Sequence, residues 1–290
     1  MKLEGILPAL VTPFDNNDRV NHQVLADLVE HQLKLGATGF VPLGSTGESY
    51  ALTNEERREV LKTVREVVGN RGLLIAGANA PSTREVIEQV KQNRDAGYDA
   101  VLIAPPFYSV PSEEELLGHY RAILEAVPDV DVVLYNYPMR VAIELGYSVM
   151  DGLQDEPRVI AIKESSGELM RAIDIGTKYK GKIDLCCGSD DIALDFFVWG
   201  ATSWISAPAN IMPENIIKFY DEFKAGNIEG AKGISEKIFP VMNSLETSKF
   251  IQKIKYGCEL NGFPVGNARM PLQPLSEAEK AEFRKAYELV

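Results

Sequence analysis

Lys163 closes the apolar run Val159-Ile160-Ala161-Ile162 and opens the polar turn Glu164-Ser165-Ser166-Gly167. A primary amine where a buried strand meets its loop keeps its stem among apolar neighbours while the ammonium loses water, and lost hydration favours the neutral form. Only the neutral amine attacks a carbonyl carbon, so the chemistry such a lysine serves is imine formation. The competing reading is a lysine whose stem lies along apolar surface and whose tip escapes to solvent. Tyr135 ends the apolar run one strand-and-helix unit earlier and should project beside Lys163 from the neighbouring strand. A phenol there can carry the protons that carbinolamine formation and dehydration require; otherwise it is an aromatic finishing a strand.

Other strand ends carry further candidates. Gly44-Ser45-Thr46-Gly47-Glu48 offers two hydroxyls and backbone N–H groups on a glycine-bracketed turn, which suits a carboxylate or a phosphate. Ser, Thr and Gly also dominate ordinary turns. The segment lacks the lysine of a phosphate-binding loop and the frame of a nucleophile elbow. Arg140, five residues after Tyr135, could receive a carboxylate through two parallel N–H bonds, or could be a solvated loop residue. Ser189-Asp190-Asp191 ahead of an apolar helix reads as a helix cap rather than a metal site, so no metal is expected. His22, His31 and His119 fall in helix-patterned segments and are expected to pack or face solvent.

These residues need elements to hold them. Eight short apolar runs, at 6–11, 39–43, 73–76, 100–104, 132–136, 159–163, 183–187 and 202–206, alternate with helix-patterned segments. Their continuous hydrophobicity is the pattern of parallel strands buried on both faces. Helices are expected at 22–35, 54–68, 83–96 and 112–126, with start signals at Thr53-Asn54-Glu55-Glu56 and Ser112-Glu113-Glu114-Glu115. The fifth crossover, 146–153, has the weakest pattern. Eight right-handed β/α units close into a (β/α)8 TIM barrel, with a doubly wound open sheet as the alternative. Further helical patterns follow at 214–223, 228–242, 248–260 and 277–289, more than a barrel needs. The expected organisation is a catalytic barrel over 1–225 and a C-terminal helical unit over 226–290.

With 290 residues and 45% hydrophobic content, the chain has ample material for a core. A formal charge of −12 without any basic cluster disfavours nucleic acid as a partner. Three cysteines, Cys186, Cys187 and Cys258, match neither a disulfide framework nor a zinc spacing. An acidic residue near the N-terminus and the want of a long apolar stretch point to a soluble cytoplasmic protein without membrane contact.

Gly44-Ser45-Thr46-Gly47-Glu48, Tyr135-Asn136-Tyr137-Pro138 and Ile162-Lys163-Glu164 at these separations resemble the dihydrodipicolinate synthase and N-acetylneuraminate lyase family of class I aldolase-type lyases. The resemblance runs from Leu7-Pro8-Ala9-Leu10-Val11-Thr12-Pro13-Phe14 through Gly188-Ser189-Asp190-Asp191 to Arg269-Met270-Pro271-Leu272. It implies that Lys163 forms the imine with pyruvate or a related 2-oxo acid and that Tyr135 relays protons. Ser45, Thr46 and Gly47 would hold the substrate carboxylate, with Thr46 orienting the tyrosine and Gly188 and Ile205 completing the pocket. Tyr108 would reach into a neighbouring subunit's site, which requires an oligomer; the family is usually a homotetramer, a dimer of tight dimers, and uses no cofactor. Arg140 stands where synthases place the arginine that receives the carboxylate of aspartate semialdehyde. Two departures point elsewhere: Val141-Ala142 replaces Thr-Gly, and Lys249-Phe250-Ile251-Gln252-Lys253-Ile254-Lys255 replaces a proline-containing segment. That tail, together with Lys163-Glu164-Ser165-Ser166-Gly167, is closer to catabolic relatives, such as N-acetylneuraminate or 2-keto-3-deoxy sugar acid aldolases and dehydratases, or hydroxypyrroline-carboxylate deaminases.

Overall fold

The computed structural model describes residues 1–290. In chain order the elements are β1 (Gly5–Pro8), α1 (His22–Leu35), β2 (Gly39–Phe40), α2 (Asn54–Val68), β3 (Leu73–Gly77), α3 (Thr83–Asp95), β4 (Ala100–Ile103) and α4 (Glu113–Ala126). They continue with β5 (Asp131–Asn136), α5 (Pro138–Val141), α6 (Tyr147–Leu153), β6 (Val159–Glu164), α7 (Leu169–Lys178), β7 (Asp184–Cys187), α8 (Ala193–Val198) and β8 (Ser203–Ser206). Four helices follow: α9 (Pro213–Lys224), α10 (Ile228–Thr247), α11 (Phe250–Leu260) and α12 (Glu277–Tyr287). The eight strands form one sheet in the order β1-β8-β7-β6-β5-β4-β3-β2. Its edge strands meet at a parallel bridge between Ala9 and Val41. The fold is the expected (β/α)8 TIM barrel followed by C-terminal helices.

By internal packing the chain divides into two compact units. One comprises residues 1–4 and 73–205. Its strands are apolar on both faces: every residue of β4, Ala100-Val101-Leu102-Ile103, is buried, as parallel strands covered on both sides require. Register fixes what shares a face. Tyr135 pairs with Lys163, Lys163 with Cys186 and Cys186 with Ser203, so these four form one row across β5, β6, β7 and β8. Asn136, Glu164, Cys187 and Trp204 form the next row, on the opposite face. The fifth crossover consists of two short helices. Pro138, which supplies no N–H, sits at the first turn of α5 where none is needed.

The other unit comprises residues 5–72 and 206–290. Strands β1 and β2 are shorter than their apolar runs, and past the end of β1 the Asn210 side chain takes over the ladder. Its Nδ2 donates to Ala9 O at 2.8 Å and its Oδ1 accepts from Val11 N at 3.3 Å. Helix α2 opens with a reciprocal capping box between Thr53 and Glu56, as its sequence predicts. Helix α10 runs through Pro240 to Thr247 rather than ending near residue 242. Proline costs it one hydrogen bond, but Val241, Met242 and Leu245 are buried and carry the helix onward. No helix of the chain is long and apolar enough to cross a membrane.

Candidate active site

Lys163 and Tyr135 end adjacent strands, and the structure brings them together. Both are buried, at 7% and 5% exposure, and the Lys163 Nζ lies 4.6 Å from the centre of the Tyr135 ring. A tip escaping to bulk water is thereby excluded. Gly188, just past β7, packs directly on this lysine. A Cβ there would stand 2.8 Å from Lys163 Cγ and 2.8 Å from Glu164 O, and would collide with Ser165 Oγ. Only glycine lets that backbone come so close. Cys186, beside Lys163 in the sheet, is fully buried; burial pushes its thiol pKa up, with a hydrogen bond to Ser203 and the Lys163 charge opposing. Such a thiol is inert. Ile205, on β8, is buried at 1% exposure.

Behind this pair lies a buried polar cluster. Glu164, with no exposed surface, accepts from Asn136 Nδ2 at 3.0 and 2.9 Å, from Arg171 Nε at 3.0 Å and from Ser166 N at 2.7 Å. Asn136 Oδ1 accepts from Leu145 N at 2.9 Å, and Arg171 donates to Leu145 O at 2.9 Å and pairs with Glu144. Burial works against the Arg171 charge, yet the Glu164 and Glu144 carboxylates outweigh it and raise the guanidinium pKa. Asn136 and Glu164 directly follow Tyr135 and Lys163, so their bonds fix the two reactive side chains against each other. The residue pattern assigned these three no role. The signal available was that Asn136 and Glu164 repeat the separation of Tyr135 and Lys163.

Arg140 is exposed on α5, its guanidinium 5.5 Å from the centre of the Tyr137 ring. Ala142, where the synthase pattern has glycine, takes the left-handed backbone glycine would take, at φ 58°. Tyr108 is 94% exposed and also left-handed, at φ 75°. A bulky residue in that region is strained, and such strain gathers at functional segments. Asp190 does not cap a helix through its side chain. It accepts from the indole Nε1 of Trp204 at 2.8 Å, and the chain runs through a short 3₁₀ turn into α8.

In the second unit, Ser45, Thr46 and Gly47 lie on a turn framed by two left-handed residues, Leu43 at φ 61° and Glu48 at φ 52°. Thr46 is buried. Thr12 Oγ1 donates to Gly47 O at 2.7 Å, and a Cβ on Gly47 would stand 2.9 Å from Leu10 O. Glu48 is fully buried and ion-paired with the nearly buried Lys255 at 2.7 Å. His22 and Thr63 share a hydrogen bond at 2.8 Å and His31 packs against Phe263, as helix-borne histidines should. His119, in the first unit, is buried and bonds to Thr83 at 2.9 Å. All three cysteines are unpaired and buried.

Comparison with known proteins agrees with this geometry. The model of the dihydrodipicolinate synthetase family matches residues 2–289. A 4-hydroxy-tetrahydrodipicolinate synthase from Geobacter metallireducens is 36% identical over 290 residues, covering 99% of both chains. The solved structure of a chloride-inhibited dihydrodipicolinate synthase from Acinetobacter baumannii, complexed with pyruvate, superposes with a TM-score of 0.96 at 32% identity, covering 99% of each chain. A dihydrodipicolinate synthase from Bacillus anthracis gives 0.95 at 29% identity, with 100% of this chain and 99% of that one covered. A family match over nearly the whole length, in the same fold, places this chain in the dihydrodipicolinate synthetase family of lyases.

Proposed function

We propose that this enzyme condenses pyruvate with aspartate semialdehyde through an imine on Lys163, as a 4-hydroxy-tetrahydrodipicolinate synthase. The observation that carries the reading is the buried amine held 4.6 Å from the Tyr135 ring at paired positions of β5 and β6. The Lys163 nitrogen attacks the keto carbon of pyruvate, and the carbinolamine loses water to give the imine. A proton leaves the methyl carbon, and the resulting enamine adds to the aldehyde carbon of the second substrate. The second substrate's own amino group then attacks the imine carbon and expels the Lys163 amine, which closes the ring of the product; the one water lost at the carbinolamine is the only by-product. Tyr135 moves protons at the carbinolamine. Ser45, Thr46 and Gly47 take the pyruvate carboxylate, Gly188 and Ile205 line the pocket, and Arg140 receives the second substrate's carboxylate. The imine is itself the electron sink, so the sequence of steps needs no metal or organic cofactor.

The strained, outward-held Tyr108 supports a role in a neighbouring subunit's site, and with it a homotetramer built from tight dimers. Three unpaired thiols support a reducing, cytoplasmic setting. One observation favours a second reading. Val141 places a buried apolar side chain where the synthase pattern has a hydroxyl, as catabolic members with other second substrates would tolerate.

The test is a substrate panel. Pyruvate-dependent consumption of aspartate semialdehyde, far above turnover of sialic acid, 2-keto-3-deoxy sugar acids or hydroxypyrroline carboxylates, is expected. Arg140→Ala should lose the condensation selectively while still forming the pyruvate imine. Indifference to that substitution, or preferred cleavage of a sugar acid, moves the assignment to a catabolic reaction.

A further inference from the structure

The C-terminal helices exceed what closing a barrel needs, and the 249–255 segment they carry has no part in the chemistry above. Two of its neighbours in space explain it. Glu48 follows the turn at residues 44–47, has no exposed surface, and is held in left-handed backbone at φ 52°. Its Oε1 is 2.7 Å from Lys255 Nζ of α11, and its Oε2 accepts from Arg269 N at 2.8 Å. Lys255 is 2% exposed, lies 4.1 Å over the Phe14 ring and donates to Asn267 O at 3.0 Å. The Arg269 guanidinium lies 4.3 Å from the centre of the same ring and donates to Ala51 O at 2.8 Å and to Glu56 at 2.9 Å. Gly266, at φ 70°, brings the same segment so close to Phe14 O that no side chain would fit.

A buried ion pair is a poor source of stability, since desolvating both charges offsets their attraction, and apolar residues of like volume serve as well or better. A glutamate in left-handed backbone adds strain. Such an arrangement survives where it fixes a register. We propose that Lys255 is a positioning residue: through Glu48, and together with Arg269, it holds the 44–47 turn in the conformation that presents Ser45 and Thr46 to the substrate carboxylate. The C-terminal helices thus serve recognition of the 2-oxo acid rather than the covalent step. This rests on the reading that the turn binds that carboxylate.

The experiment compares the KM for pyruvate, kcat and borohydride trapping on Lys163 in full-length variants. Lys255→Met should raise KM about tenfold or more, with kcat within about threefold and trapping retained at saturating pyruvate. Because that change leaves a buried carboxylate unpaired and threatens folding, Glu48→Gln/Lys255→Met, which removes both charges, is the deciding variant. A folded double variant with the raised KM supports the proposal, and one with an unchanged KM overturns it. Thr46→Val separates the two levels. If it leaves KM unaltered while the double variant raises it, the carboxylate reading fails and not the positioning.

Discussion

Glu164 and Glu48 are both buried, both follow proposed site residues, and both face a buried cation, yet they are held in different ways. Glu164 accepts four hydrogen bonds from groups close along the chain, Arg171 being 7 positions away and Asn136 28. Glu48 depends on Lys255 and on the Arg269 N–H, 221 positions away. The first cluster is a lock between neighbouring β/α units, in place as soon as β5, β6 and α7 pack. The second forms only when the chain's far end returns to its beginning, at the larger entropic cost of a long closed loop. On the proposed assignment, the region that makes the bond is held locally and the turn that recognises the substrate is held by the C-terminal helices. A change in one should therefore strike kcat, and a change in the other KM.

The largest effect should come from the local side. Tyr135→Phe keeps the ring under the Lys163 amine and removes only the proton carrier, so kcat should fall by roughly 10²–10⁴-fold with little change in stability. A loss confined to KM would break the division of labour. Arg171→Met leaves the Glu164 carboxylate buried without its counter-charge, and urea unfolding should show a loss of about 3–5 kcal/mol. Restoration by Glu164→Gln/Arg171→Met would show that the cost lies in the orphaned charge. A loss that persists in the double variant would assign it to packing.

His119 shows what burial does without an opposing charge. Desolvation lowers its pKa to about 4 from the ordinary 6.5. Below pH 6.5 the unfolded chain takes up a proton that the folded chain refuses, so stability complete above that pH is lost as pH falls towards 4. The loss is on the order of 3 kcal/mol. His119→Gln should flatten that slope, read from urea midpoints at neutral and acid pH. An unchanged slope would move the acid sensitivity to other groups.

Much of the fold was legible because buried parallel strands leave apolar runs and helices leave capping signals; α1 and α2 begin and end where their patterns do. The end of β1 was not, because the Asn210 side chain replaces its ladder from a distant part of the sequence. Helix α5 hides in four residues, too few for a period. Lys163 and Tyr135 were readable from strand ends and spacing. Glu164, Asn136 and Arg171 were visible as residues but not as a cluster, since hydrogen bonds leave no periodicity. Lys255 stood in the sequence only as part of the 249–255 departure from the synthase pattern; its near-complete burial comes from the return of the C-terminal segment onto Phe14, which no local pattern signals.

The central claim is that the Lys163 amine bonds covalently to a 2-oxo acid. Treating the protein with pyruvate and borohydride, then mapping peptides by mass spectrometry, tests it directly. A reduced pyruvyl adduct on Lys163 and no turnover in Lys163→Ala are the expected results. A folded, active protein with Lys163 unmodified, or an adduct on another lysine that survives Lys163→Ala, would contradict it.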